Sequence, residues 1–336
     1  MLSSYGYRIS KKGDLLVIKR ASGEKLEVSV GNIGQIVAFA RGLSLSGDAI
    51  NLMLRHGVNL ILVSRNRPLG ILQAFRRGTH VKLRKEQVYA QMDNRAVAIA
   101  KSIVYGKISN QIELLRQIRR NRLRRKPDIS SRVLNIYNNI KDILREVERI
   151  DLDIDNYREK LLVREAEASR LYWEAISTIL PEEIGFKCRK KRFENPDDPF
   201  NLSLNYLYTL LASQIWSCIE LSGLDPWLGY FHVDNNRRPS LVMDLMEEFR
   251  QPVVDKILIS YFLSYKGDFN DIVMNCRVLS ETHIREISRL FFQKINERVS
   301  FRGRVMSISG HMYFQPRRLA KFILGKEPGY IPYNVV

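Results

Sequence analysis

Cysteine is scarce in this chain, and its three residues, Cys188, Cys218 and Cys276, stand far apart with no Cys-x-x-Cys pair. That spacing excludes a disulfide framework and a structural zinc site, so the three read as buried thiols. No apolar run approaches the ~20 residues of a membrane span, and the opening "MLSSYGYRISKKGD" has no apolar signal-peptide core. A cytoplasmic protein without membrane attachment is therefore expected. The chain has no RRM, zinc-finger or clear helix-turn-helix signature, no internal repeat and no low-complexity tract. Reading of base sequence through a groove is thus not expected. Acidic residues are also in deficit: 36 Asp and Glu face 54 Lys and Arg, a net charge of +18 over 336 residues. With no membrane segment to explain it, that excess points to nucleic acid as partner.

Apolar residues are not lacking. At 45% hydrophobic and 27% charged the chain can bury two separate cores, and disorder is not expected. Up to about residue 80 the pattern is strand-like. "DLLVIKR", the turn "ASGE" and "KLEVSV" form a hairpin of near-alternating polarity, and "GQIVAFA", "VNLILVS" and "PLGILQAF" are apolar runs of strand length. Between them "SGDAINLMLRHG" reads as one helix, capped by Ser46 or Asp48 and closed by Gly57. After "RRGTH" the pattern turns helical, over 84–123, 130–180, 201–222, 239–264 and 280–297. The expectation is an α+β chain: a β-rich, sandwich-like domain with one helix over 1–75, a basic linker over 76–85, and an all-α domain over 86–336.

Two basic clusters stand out in the helical part. "RQIRRNRLRRK" holds Arg116, Arg119 and Arg120, and "KCRKKRF" holds Lys187, Arg189 and Lys190. Each is either a solvated face or a surface for phosphates, and two in one domain favour a held DNA backbone. Arg237 and Arg238 either contact DNA or pair with nearby carboxylates.

Carboxylates occupy unusual positions. In "NYREKLLVREAEASRLYWEAISTIL" Glu165 falls in the middle of an apolar stripe with Leu161, Leu162, Ala168, Tyr172 and Ile176, while Glu167 and Glu174 project from the other side. A carboxylate so placed must be protonated, paired or bound to a metal, and Arg158 or another arginine is the simplest partner. In "RRPSLVMDLMEEFRQP" Asp244, Glu247 and Glu248 share one side of a helix whose other side is apolar. His232 lies between the apolar "WLGYF" and a polar loop. Either each is a satisfied structural residue, or Glu165, His232 and the acidic helix face meet and bind a divalent cation. Oxygen-rich ligation suits Mg²⁺ or Mn²⁺ better than zinc, and such an ion in a basic protein acts on phosphodiesters.

The same stretches carry a resemblance. "QVYAQMDNRAVAIAKSIVYGKISNQIELLR", "REAEASRLYWEAI" and "LNYLYTLLASQIWSCIELSGLDPWLGYFHVDNNRRPSLVMDLMEEFRQPVVD" resemble, in order, the distinctive blocks of the CRISPR-associated spacer-acquisition integrases, the Cas-one endonuclease family. The resemblance implies an N-terminal β-sandwich that dimerises and a helical catalytic domain. It places the metal ligands at Glu165, with Arg170 and Tyr172 five and seven residues on, at His232 after "LGYF", and at Glu247, three residues after Asp244. Asp244 becomes a neighbouring carboxylate that orients the site. One departure is Ala166, where the family usually has Gly.

The family's activity would be Mg²⁺- or Mn²⁺-dependent insertion of new spacer DNA, by attack of a 3′-hydroxyl on a phosphodiester at the edge of the CRISPR repeat. Its partners would be double-stranded and branched DNA, a second copy of the chain and a small ferredoxin-like CRISPR-associated protein. Two alternatives remain: a metal-dependent nuclease of branched DNA in repair or recombination, and a catalytically silent DNA-binding scaffold.

Overall fold

The computed structural model describes residues 6–39, 42–64, 67–74, 81–124, 126–151, 153–234, 236, 238–274 and 278–334. The chain divides into two compact units: Met1–Thr79 with Glu281–Ser288, and His80–Ser280 with Arg289–Val336. Among the described residues no helix is long and apolar enough to cross a membrane.

The first unit contains β1 (Tyr7–Lys12), β2 (Leu15–Arg20), β3 (Lys25–Ser29), β4 (Gln35–Phe39), β5 (Ser44–Leu45), α1 (Gly47–Arg55), β6 (Asn59–Ser64) and β7 (Arg67–Leu72). One sheet has the order β3-β2-β1-β5 and the other β4-β6-β7. The expected β2–β3 hairpin forms, with Leu15 opposite Ser29 and Lys19 opposite Lys25. A preceding hairpin, β1–β2, turns at Gly13, whose φ of 59° suits a tight two-residue loop. Strands β4 and β6 run parallel, with α1 between them in the chain. The N-cap of α1 is Ser46, whose hydroxyl accepts from Ala49 N at 3.2 Å. Ile9 and Leu16 of the first sheet, Ile36 and Leu60 of the second, and Leu52 and Met53 of α1 share one core. The unit is thus a two-sheet, sandwich-like arrangement with the helix α1, to which the start of a later helix, Glu281–Ser288, is added.

The second unit is mainly helical: α2 (Val81–Ala90), α3 (Asn94–Arg122), α4 (Pro127–Arg149), α5 (Tyr157–Ile179), α6 (Pro199–Ser222), α7 (Ser240–Phe249), α8 (Lys256–Ser264), the latter part of α9 (Glu281–Asn296) and α10 (Ile308–Ile323). Two short hairpins interrupt it, β8–β9 (Val273–Met274, Val278–Leu279) and β10–β11 (Arg298–Phe301, Arg304–Ser307), where an all-α domain was expected. Of the expected linker 76–85, residues 76–80 lie outside the described residues and 81–85 form the first half of α2. The long helical stretches also divide. Asp93 ends the first by accepting from Arg95 N at 2.8 Å as the N-cap of α3, and Asp153 turns the chain before α5 by accepting from the backbone of Asp155 and Asn156.

The expected helix 239–264 is widened by a π-helical turn over Arg250–Asp255. Pro252 lacks the N–H that an α-helix would direct at the carbonyl of Glu248, and Asn110 Nδ2 donates to that oxygen instead, at 2.9 Å. Helix α3 lies at the centre and packs against α4, α5 and α7. Its Gly106 admits the C-terminal segment: a Cβ there would stand 2.6 Å from Pro332 Cβ. The thiols depart from expectation, since Cys188 is exposed and Cys218 half-buried. Burial pushes the Cys218 thiol up to about 12, and Cys276 lies outside the described residues.

Candidate active site

Three helices bring the site together. Helix α5 supplies Glu165, α7 supplies Glu247 and Asp244, and α3 supplies Lys107, a residue the sequence argument did not select. The Lys107 side chain is 9% exposed and its ammonium stands between the two glutamates, hydrogen-bonded to Glu165 Oε1 and 2.8 Å from Glu247 Oε2. Ser169, one turn along α5, donates to the same oxygen of Glu165 at 2.9 Å. Arg250, in the π-helical turn, reaches Glu247 Oε1 at 3.2 Å and lies over the Tyr208 ring at 4.8 Å.

The cation expected beside Glu165 is therefore a lysine and not Arg158. The latter donates its Nε to the Tyr230 carbonyl at 3.1 Å. Lys107 carried the same signal as Glu165, a charge among apolar neighbours at helical spacing (Ile103, Val104, Ile108). Arg250 was findable as the cation three residues after Glu247.

These charges set one another. Burial works to raise the Glu247 carboxyl, but Arg250, Lys107 and His232 outweigh it and hold the group at about 2. Burial also works to raise Glu165, and Lys107 overcomes it, so this carboxyl too lies below its ordinary value. Lys107 is raised in turn: the two glutamates overcome the desolvation that disfavours its charge.

Asp244, fully buried, organises the loop that carries His232. Its Oδ2 accepts from the backbone N–H of Tyr230 at 2.6 Å and of Phe231 at 3.1 Å, and its Oδ1 from that of His232 at 2.9 Å. The same Oδ1 lies 2.7 Å from His232 Nδ1. A carboxylate there fixes Nδ1 as the protonated nitrogen and leaves the Nε2 lone pair as the one available to a ligand. Gly229 permits the loop to lie against α7, because a Cβ would stand 2.6 Å from Ser240 Cβ. The half-buried imidazole is close enough to Glu247 to help hold its carboxyl below the ordinary value.

Glu248 does not join this group. Although it shares the side of α7 expected to form one acidic face, its carboxylate points into a separate network with Tyr330, Tyr333 and Gln315. The acidic face thus has three different answers: backbone donors and an imidazole for Asp244, two cations for Glu247, neutral donors for Glu248.

The basic residues divide as well. Arg116 and Arg120 are exposed, Arg119 half-buried and Lys187 exposed. Arg116 also pairs with Glu113 at 2.7 Å. Arg189 turns inward, donating to Asn201 and Asn205 at 3.0 and 2.7 Å, so it is a packing residue and not a free phosphate contact. Lys190 pairs with Asp197 at 3.5 Å, and the exposed Arg238 lies 5.9 Å from the Phe193 ring and pairs with neither glutamate. Arg237 lies outside the described residues.

Whether this donor set suits a divalent cation can be judged from Glu247. Its buried Oε2 has only the Lys107 ammonium at 2.8 Å, in a contact too poorly angled to satisfy it as a good hydrogen bond would. An oxygen left so, beside a second carboxylate and an imidazole, fits a metal ligand. Among the described residues, no three such groups stand ready around a common point as they are now placed; the space between the two glutamates holds the Lys107 ammonium.

The sequence profile of CRISPR associated protein Cas1 matches residues 1–291. A CRISPR-associated endonuclease Cas1 of Korarchaeum cryptofilum (strain OPF8) is 32% identical over 342 residues, covering 99% of this chain and 97% of that protein. Among solved structures, a casposase bound to integration product shares the fold with a TM-score of 0.82 at 24% identity, over 97% of this chain and 90% of that one. A Cas6-RT-Cas1–Cas2 complex contains the same fold, with a TM-score of 0.78 at 21% identity, over 100% of this chain and 36% of that one. With a profile that spans most of its length and a relative aligned from end to end, the chain belongs to the Cas1 family of CRISPR-associated proteins.

Proposed function

We propose that this protein is the integrase of CRISPR adaptation. In this reading it catalyses divalent-cation-dependent strand transfer, in which the 3′-hydroxyl of a captured DNA fragment attacks a phosphodiester at the edge of the CRISPR repeat. The observation that carries the reading is that buried Glu165 and Glu247 share one ammonium, with the Asp244-oriented His232 near enough to act on Glu247. Glu165, Glu247 and His232 Nε2 would hold Mg²⁺ or Mn²⁺. Bound there, the cation supplies positive charge to a phosphoryl oxygen and favours attack on phosphorus.

The chain's own residues do the rest. Asp244 holds the imidazole in one tautomer and one orientation. Arg250, fixed over Tyr208, presents a guanidinium beside the reacting phosphate. Arg116, Arg120 and Lys187 add backbone contacts that position DNA without reading it. One phosphodiester forms as another breaks, and the leaving strand departs with a newly freed 3′-hydroxyl whose proton balances the one lost by the attacking hydroxyl, so the reaction needs no ATP. The naming of the Korarchaeum relative as an endonuclease supports a DNA-cleaving activity, and in this reading branched DNA is cut at the same site with water as the nucleophile.

The assembly we infer is a homodimer, paired across a small ferredoxin-like partner, in the cytoplasm. The shared fold with a Cas1–Cas2 complex supports the partner. The test is a branched DNA with a labelled 3′-hydroxyl strand, incubated with Mn²⁺ or Mg²⁺. Joining of the label by the wild type, lost in Glu165→Ala while DNA binding persists, supports strand transfer at this site. Cleavage without joining assigns the repair-type nuclease instead, and DNA binding without any metal-dependent chemistry assigns the silent scaffold.

A further inference from the structure

The charges of the site balance before any divalent ion arrives. Two carboxylates, Glu165 and Glu247, face two cations, Lys107 and Arg250, and Asp244 is satisfied by three backbone N–H groups and the His232 ring. A divalent cation added between the glutamates would leave the buried group with two positive charges in excess, at contact range of an ammonium. Charges so placed in a desolvated site repel strongly, so one of the resident cations has to give way.

The two are not held alike. Arg250 is fixed twice, by the face of Tyr208 at 4.8 Å and by Glu247 Oε1 at 3.2 Å, and its planar fork is rigid. Lys107 is a point charge on a flexible four-carbon stem. Its partners among the described residues are Glu165 Oε1 and Glu247 Oε2, one oxygen from each glutamate. The second contact, at 2.8 Å, is the poorer one, since Oε2 has no well-angled hydrogen bond from it.

The geometry points to Lys107 as a built-in stand-in for the divalent cation. Its ammonium holds Glu165 and Glu247 in place in the metal-free protein and is exchanged for the ion when the site loads. This rests on the metal-site reading above and deepens it: loading is a displacement, and the affinity for metal is what remains after the ammonium has been moved. Lys107 is in this sense a positioning residue, which preforms the site and sets how readily it fills.

The experiment is Mn²⁺ binding to the full chain by calorimetry, with thermal melting in parallel, for wild type, Lys107→Met, Lys107→Arg and Glu165→Ala. Lys107→Met removes the competitor at similar length, and is expected to bind Mn²⁺ about ten-fold more tightly than wild type. It should also melt lower than wild type without metal, as its carboxylates then repel, and recover that difference at saturating Mn²⁺. Lys107→Arg, which grips both carboxylates through a fork, should bind Mn²⁺ several-fold more weakly.

Unchanged or weaker binding by a cooperatively melting Lys107→Met overturns the exchange. If that variant does not fold, unchanged affinity in Lys107→Arg overturns it. Glu165→Ala separates the two levels of the argument. Wild-type Mn²⁺ affinity in Glu165→Ala would bring down the metal site and the exchange together. Lost binding there, with Lys107→Met like wild type, would bring down the role of Lys107 alone.

Discussion

Glu247 and Glu248 are neighbours on one helix, 2% and 0% exposed, and yet their carboxyls are driven in opposite directions. Burial pushes both up. For Glu247, Arg250, Lys107 and His232 outweigh it and hold the group at about 2. For Glu248 the hydrogen-bonded groups are neutral donors, the Tyr330 hydroxyl, Tyr333 N at 2.7 Å and Gln315 Nε2 at 2.7 Å, and the charge of Arg318 adds the weakest pull. They only partly offset desolvation, and the carboxyl stays up at about 7. What differs is the partner and not the depth. Position on a helix decides whether a carboxylate is buried; the elements packed against it decide whether it is a charge or a hydrogen-bonding acid.

The sharpest way to break this comparison is to make the same substitution at both positions. Glu247→Gln removes a charge that Lys107 and Arg250 need, and a ligand that the proposed cation needs. Strand joining should fall by at least about 10²-fold, the size of loss typical when a group that stabilises developing charge is removed. Glu248→Gln keeps the shape and the hydrogen bonds: the amide oxygen can accept from Tyr333 and Gln315 while its NH₂ donates to the rotatable Tyr330 hydroxyl. Joining should stay within a few-fold of wild type. Equal losses in the two variants, measured on the same labelled branched DNA, would show that the neighbours do not divide as described.

The next effect concerns stability. Glu248→Ala deletes the acceptor shared by three buried donors and frees the C-terminal segment that Asn110 also holds through Tyr333 O at 3.0 Å. A cost of about 2–4 kcal/mol follows from a cavity plus unmet donors. Urea unfolding of Glu248→Ala beside Glu248→Gln measures it, and equal midpoints would mean that the tail does not depend on this carboxyl.

The pH dependence sharpens the contrast further. Glu248 is raised from 4.5 to about 7, and Asp255, buried between the hydroxyls of Tyr172 and Tyr208 at 2.9 and 2.5 Å, is raised from 3.8 to about 6. Desolvation is the main cause in both. The folded protein keeps protons that the unfolded chain has released, so their contribution is full below the unfolded values and lost as pH rises through the folded ones. These two groups should therefore lower the unfolding free energy, by roughly 1–3 kcal/mol, between about pH 4 and pH 7, against the opposite contribution of His283, which burial holds down at about 4. Asp255→Asn and Glu248→Gln should each flatten that slope. Glu247 acts in the opposite sense, and its contribution is lost only as pH falls from 4.5 through about 2. Variants with the same slope as the wild type across pH 4–7 would refute the assignment.

Much of this was legible in the chain, in an uneven way. The β2–β3 hairpin, the Ser46 cap and the oddity of Glu165 in an apolar stripe are local facts, and local spacing reveals them. The partner of Glu165 was not legible, because Lys107 is 58 residues away and reaches it only through the packing of α3 on α5. For the same reason the wheel placed Glu248 with Glu247, since nothing near it in sequence announces Tyr330 or Tyr333. The π-helical turn depends on Asn110 taking the carbonyl that Pro252 frees. Helix α10 was hidden by Pro316, which reads as a breaker but lies inside it, and the hairpin β10–β11 was hidden by its shortness.

The smallest expected effect tests whether a local rule still holds beside the site. Ala166, next to Glu165, is exposed on α5 and carries no group that touches the cluster. Ala166→Gly should cost about 1 kcal/mol through the greater backbone freedom of Gly in the unfolded chain, visible as a lower urea midpoint with an unchanged slope. Its Mn²⁺ affinity should match wild type, because Glu165 keeps both Lys107 and Ser169 as partners. A larger loss of stability, or any shift in metal affinity, would mean that the backbone of α5 at this point holds Glu165 against Lys107, and that the charge of this region depends on the helix as well as on its partners.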